Sequence, residues 1–142
     1  MERPTGVTIL ASAFFLTAGY LFAVGVIEFI APGAISPLTM RHAPFMYGRE
    51  LDGPQSAVLV SAGWALVGWG LMQIQNWARW AAVVLMVLGV AAGIPAVSAA
   101  SIDPGWRLAW YGGQMMAKVA AAWYLIFAPD AVEAFREVRS GR

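Results

Sequence analysis

The chain reads as an all-α membrane protein, an antiparallel bundle of four transmembrane helices with a long outer loop between helices 1 and 2. Three observations carry that reading. Residues 6–30, 56–75, 80–100 and 106–128 form apolar runs with almost no charge in their middles. Each is close to the ~20 residues a helix needs to cross a bilayer. Hydrophobic residues make up 60% of the sequence and charged residues 12%, where a soluble domain carries about a quarter charged. The short alternating segments of about ten residues that mark a β-barrel do not occur. With 142 residues the chain has room for one domain, 1–142.

The first run starts after Arg3-Pro4 and stops at Ala31-Pro32-Gly33. A cleaved signal peptide is the rival reading. The run is longer than the ~7–15 residues of such a segment, and its one basic neighbour is balanced by Glu2, so it reads as a retained span. A lone segment in lipid must satisfy its own backbone, which makes the runs helices. The outer loop, 31–55, contains Pro32, Pro37, Pro44 and Pro54 and cannot be one continuous helix. It interleaves Leu38, Met40, Phe45, Met46 and Tyr47 with Arg41, His42, Arg49, Glu50 and Asp52, a mixture suited to the membrane surface or to capping the bundle.

The second and third runs are joined by the short stretch 76–79, which makes them antiparallel neighbours. Pro95 is expected to kink the third run near its outer end. A Pro104-Gly105 turn leads into the fourth. Beyond it, Pro129, Asp130 and Glu133 suit a helix N-terminus. Val132, Phe135 and Val138 then recur at helical spacing opposite Arg136 and Arg139, predicting a tail, 129–142, that rests as an amphipathic helix on the headgroups.

Loop cations give the orientation. Arg3, Arg79, Arg136, Arg139 and Arg142 fall on one side, and Arg41, Arg49 and Arg107 on the other. The richer side is the cytoplasmic one, so both termini are expected there. Trp77, Trp80, Trp106 and Trp110 sit at the span ends, where aromatic belts form.

Helices associate in lipid by close packing. Gly89 and Gly93 form a GxxxG in the third span; Gly113, Ala117 and Ala121 recur every fourth residue in the fourth; Gly19 and Ala23 serve the first. These small residues are expected at helix–helix contacts within the chain, with a homo-oligomer or larger membrane complex as the alternative use.

Composition excludes much chemistry. The net charge of +1 gives no case for nucleic acid. Cysteine is absent and His42 is the single histidine, so thiolate sites and multi-histidine metal sites are ruled out and no metal or cofactor is predicted. His42, with Met40 and Met46 near it, reads as a solvated loop residue, since no haem-attachment motif is present. No nucleophile–base–orienter set and no phosphate-binding glycine loop occur.

Lys118 demands an explanation. It lies about 12 residues into the fourth span, roughly 18 Å below the outer boundary. A charge at the bilayer centre costs about 2.5–3.5 kcal/mol on the lenient insertion scale, so Lys118 should face the bundle or a wet cavity. Its side chain leans toward its own N-terminus and hence toward Gln114. Tyr20 and Trp64 lie at a similar depth on the first two spans. These residues are expected to form a polar site, with the cation over the Trp64 face and oxygens from Tyr20 and Gln114. Glu28 is the obvious counter-charge, but roughly 15 Å of helix rise separates it from Lys118. A carboxylate at a helix end is therefore its plainer role. The plainer reading of Lys118 is a buried lysine satisfied by local oxygens; a Schiff-base role has no further support in the chain.

Three stretches together carry a resemblance: Arg3-Pro4-Thr5-Gly6-Val7, Asn76-Trp77-Ala78-Arg79-Trp80-Ala81, and Trp123-Tyr124-Leu125 through Ala128-Pro129-Asp130 to Ala134-Phe135. In span order and cytoplasmic edges the chain resembles small, uncharacterised four-span bacterial inner-membrane proteins. The resemblance implies a multi-pass protein of a bacterial plasma membrane and supplies no activity. The expected function is a non-enzymatic accessory subunit or scaffold that binds protein partners or lipid. A small transporter, channel or ligand-binding protein built on Lys118, Gln114 and Tyr20 is the alternative.

Overall fold

A computed structural model describes residues 4–34, 54–101 and 105–140. It contains five α-helices and, among the described residues, no strand: α1 Thr5–Ile30, α2 Pro54–Met72, α3 Asn76–Ala100, α4 Trp106–Phe127 and α5 Pro129–Ser140. The sequence-expected outer loop, including His42, lies outside the described residues apart from its two ends.

The chain is a multi-pass membrane protein by the length and apolarity of its helices. Three qualify as spans on their own: Thr5–Ile30 at a mean hydropathy of 2.0, Pro54–Met72 at 1.3 and Asn76–Pro95 at 1.8. The fourth expected span, α4, reaches the same threshold only together with α5, across a 53° bend at Ala128. Its physical reason is Arg107, Gln114 and Lys118 within one helix. Large apolar side chains cover the outside of the bundle; Leu16 is 76% exposed and Leu59 74%. Contiguous exposed apolar surface of this kind suits lipid rather than water.

Two antiparallel pairs, α1–α2 and α3–α4, make the most extensive packing, and α2–α3 contacts join them. In the first pair Phe14 stacks on Trp64 with centroids 4.7 Å apart. Two glycines set the approach. A Cβ on Gly68 would stand 3.2 Å from the Phe14 Cβ, and one on Gly25 would stand 3.2 Å from the Pro54 carbonyl oxygen. Gly19 and Ala23, expected to do this work, face outward instead, and Gly19 has nothing within 4 Å of a built Cβ. The buried hydroxyls are satisfied within their own helices: Thr17 donates to the Ala13 carbonyl at 2.9 Å and Ser61 to that of Val58 at 2.7 Å.

The α2–α3 turn occupies residues 73–75, earlier than the expected 76–79, so Asn76 to Arg79 form the first turn of α3. The turn is a Schellman motif. The Gln75 N–H donates to the Gly70 carbonyl at 2.9 Å and the Ile74 N–H to that of Leu71 at 3.0 Å. Its left-handed position is held by Ile74, at φ 53°. A β-branched residue is strained there, and Ile74 is nonetheless buried in the core at 7% exposure.

Helix α5 leaves α4 at a 53° bend and packs against the ends of α4 and α3. Ala128, Ala131 and Phe135 join the same apolar cluster as Phe14, Leu71 and Leu125, while Asp130, Glu133 and Arg136 stay exposed. Arg79 fastens this corner. Its Nε donates to the Leu125 carbonyl at 2.7 Å and its terminal nitrogen to that of Ile126 at 3.3 Å, with the guanidinium 5.7 Å from the Phe135 ring. These are last-turn carbonyls of α4, which lack partners within the helix.

Candidate functional site

Helix α4 barely meets α1; their contact lies near the N-terminus of α1, where Gly6 abuts the Tyr124 ring. Above that point the two helices part, and a cleft of about 150 Å³ opens between them over α3. Helix α1 contributes Leu10 and Ala13 to its lining, α3 contributes Met86, and α4 contributes Gln114, Ala117, Lys118 and Ala121. All but two of these are apolar. The two polar members, Lys118 and Gln114, stand one helical turn apart on the same wall, as their spacing predicts.

Lys118 is buried, at 2% exposure. Gly89 of α3 makes that burial feasible. A Cβ built on Gly89 would stand 3.3 Å from the Lys118 Cδ, 3.6 Å from Cε and 3.8 Å from Nζ. The lysine stem thus lies along bare α3 backbone at Gly89. Of the other small residues expected at contacts, Gly93 is buried. Gly113 is exposed, with nothing within 4 Å of a built Cβ, and Ala117 is an exposed residue on the rim of the cleft.

The remaining expected site residues are placed elsewhere. Trp64 is buried against Phe14, and its ring belongs to the α1–α2 packing. Tyr20 is 36% exposed on α1. Neither is among the residues lining the cleft. Glu28 stands in the last turn of α1, where its Oε1 accepts from the Gly33 N–H at 2.8 Å. That bond secures the 31–34 turn, in which Gly33 takes φ 81°. Among the described residues, Glu28 Oε2 is buried without a hydrogen-bond partner.

Sequence reasoning did not find Leu10, Ala13 or Met86. Both α1 and α3 are apolar around their whole circumference, so no stripe tells which face turns inward. Arg79 was legible only as a loop charge, because its carbonyl partners lie 46 and 47 residues away in the chain. Among the described residues no group of three or more His, Cys, Asp or Glu side chains could hold a metal ion. No family model, no curated protein and no solved structure matches the chain.

Proposed function

We propose that the chain is a non-enzymatic accessory subunit or scaffold of a bacterial inner membrane, crossing it four times with both ends in the cytoplasm. One observation carries the subunit reading: α4 is both the least apolar of the long helices and the least covered. In its 22 residues only Lys118 and Leu125 are buried. The other three long helices each pass as spans unaided, whereas α4 does not. A helix poorly matched to lipid gains most from a protein neighbour. Its outward stripe of Met116, Ala120, Trp123 and Phe127 follows helical spacing and is exposed along its length. A second copy of the chain, laying its own α4 on that stripe, is the simplest occupant.

The chain has no cysteine, so single-cysteine reporters act without background. Oxidative crosslinking in native membranes should trap a dimer through Met116→Cys and not through Leu59→Cys on the far side. Absence of a crosslink at position 116, with a monomer mass in nanodiscs, would remove the homo-oligomer.

The second reading is a transporter, channel or ligand-binding protein that uses the intramembrane polar site. The cleft at Lys118 and Gln114 favours it.

A further inference from the structure

We propose that α1 and α4 form a seam that opens and closes about their contact at Gly6 and Tyr124, and that an ion pair between Glu28 and Arg107 holds the far end of the seam shut. The inference is independent of what covers the outward face of α4 and of what enters the cleft.

The seam has one fixed point. Gly6 lies against the Tyr124 ring with no room for a side chain, and the two helices make few other contacts. Beyond that point the helices run antiparallel and stay in step. Ala13 on α1 and Ala117 on α4 face the same cleft, each seven residues from the fixed point. Both are exposed, and Gly113, one turn from Ala117, has nothing within 4 Å of a built Cβ. Small side chains of this kind leave room for two backbones to approach in lipid. The structure shows the parted arrangement.

Opposite charges stand toward the parted end. Glu28 is 18 residues from Leu10, about five full turns, so it lies on the face of α1 that lines the cleft. Arg107 is seven residues from Gln114, about two turns, and lies on the cleft face of α4. Counted from the fixed point, Arg107 is level with Ala23, and Glu28 stands about 7.5 Å beyond at the helical rise. The tilt of the side chains shortens that gap from both sides. Each Cα–Cβ bond inclines toward its own helix N-terminus. On antiparallel helices Glu28 therefore starts toward the level of Arg107, and Arg107 toward that of Glu28.

The carboxylate lacks a partner while the seam is parted. Its Oε1 accepts from the Gly33 N–H, and among the described residues its Oε2 is buried with no hydrogen-bond partner. Arg107 is exposed and is not paired with it. Leaving a buried charged oxygen without a donor is costly, and a guanidinium is the donor best matched to a carboxylate. Swinging the N-terminal end of α4 toward α1 supplies that donor and narrows the cleft between Ala13 and Ala117. Among the described residues no other cation can take this role, because Arg79 and Arg136 sit at the opposite end of the bundle and Lys118 is buried at Gly89.

The absence of cysteine allows spin labels at Leu16→Cys and Gly113→Cys, exposed positions about one turn beyond Ala13 and Ala117. Pulsed electron resonance on the full-length protein in phosphatidylcholine nanodiscs then reads the separation of α1 and α4. The expected result is two distance populations, with the shorter one lost in Arg107→Gln and in Glu28→Gln. The exchanged pair, Glu28→Arg with Arg107→Glu, should regain it. Arg107 is exposed, so its variant keeps the packing and decides the matter even where a Glu28 variant does not fold. Distances that neither neutralisation changes would overturn the proposal. So would a shorter population lost in Glu28→Gln but kept in Arg107→Gln, which would give the carboxylate a different partner.

Discussion

The Lys118 side chain is accommodated by the missing side chain of Gly89: the space a Cβ would take at 89 lies 3.3 Å from the lysine Cδ. A cation on one helix and a glycine on the next are thereby a single structural unit. The lysine is buried at 2% exposure without needing a wide channel around it.

This unit predicts a coupling. Gly89→Ala requires the lysine stem to give by a few tenths of an ångström, and Gly89→Leu displaces it. The larger substitution should destabilise by about 1–3 kcal/mol, the usual range for overpacking. In a Lys118→Ala background most of that loss should vanish. Thermal unfolding in one detergent across the double-mutant cycle checks it; additive losses would mean that the two residues do not share the space.

A second prediction concerns Arg79, whose guanidinium serves two α4 carbonyls at once. Arg79→Ala should cost about 1.5–3 kcal/mol, the range for hydrogen bonds to a charged group. Arg79→Lys should recover little, because an ammonium lacks the planar fork. Hydrogen exchange at the end of α4 and across Ala128 to Phe135 should speed up in both variants. Unchanged protection there would show that Arg79 does not fasten the corner.

At the α2–α3 turn the expected order of substitutions is unusual. Ile74→Ala loses buried surface and keeps a left-handed backbone, whereas Ile74→Gly loses one further methyl group but relieves a left-handed strain of about 1–2 kcal/mol. The glycine variant should therefore be the more stable of the two, the reverse of the order inside a helix. Melting temperatures in detergent decide it; an alanine variant that melts higher would contradict the strained turn.

Much of the architecture was legible from apolar run length alone. The runs 6–30, 80–100 and 106–128 correspond to α1, α3 and α4 within a few residues. The α2–α3 turn was displaced because Ile74 is an apolar β-branched residue where glycine or asparagine would announce a helix end, and its burial outweighs that local signal. The Lys118–Gln114 half of the site followed from helical spacing. Tyr20 and Trp64 were matched to Lys118 by depth, which fixes height but not rotation about the helix axis. On helices that are apolar all round, the packing partners decide rotation: Trp64 turns to Phe14, and Leu10 and Ala13 turn to the cleft. The same limit hid the glycine contacts at 25 and 68.

The central claim is that α4 crosses the membrane, since both the partner face and the Lys118 cleft depend on it. Single cysteines at Thr5, Gly105 and Glu133, all exposed positions, can be labelled with a membrane-impermeant maleimide in sealed, right-side-out vesicles. Four crossings predict that positions 5 and 133 stay protected until the vesicles are opened, while position 105 reacts at once. Reaction of 133 together with 105, with 5 still protected, would mean that the chain crosses only three times and that α4 lies on the outer surface.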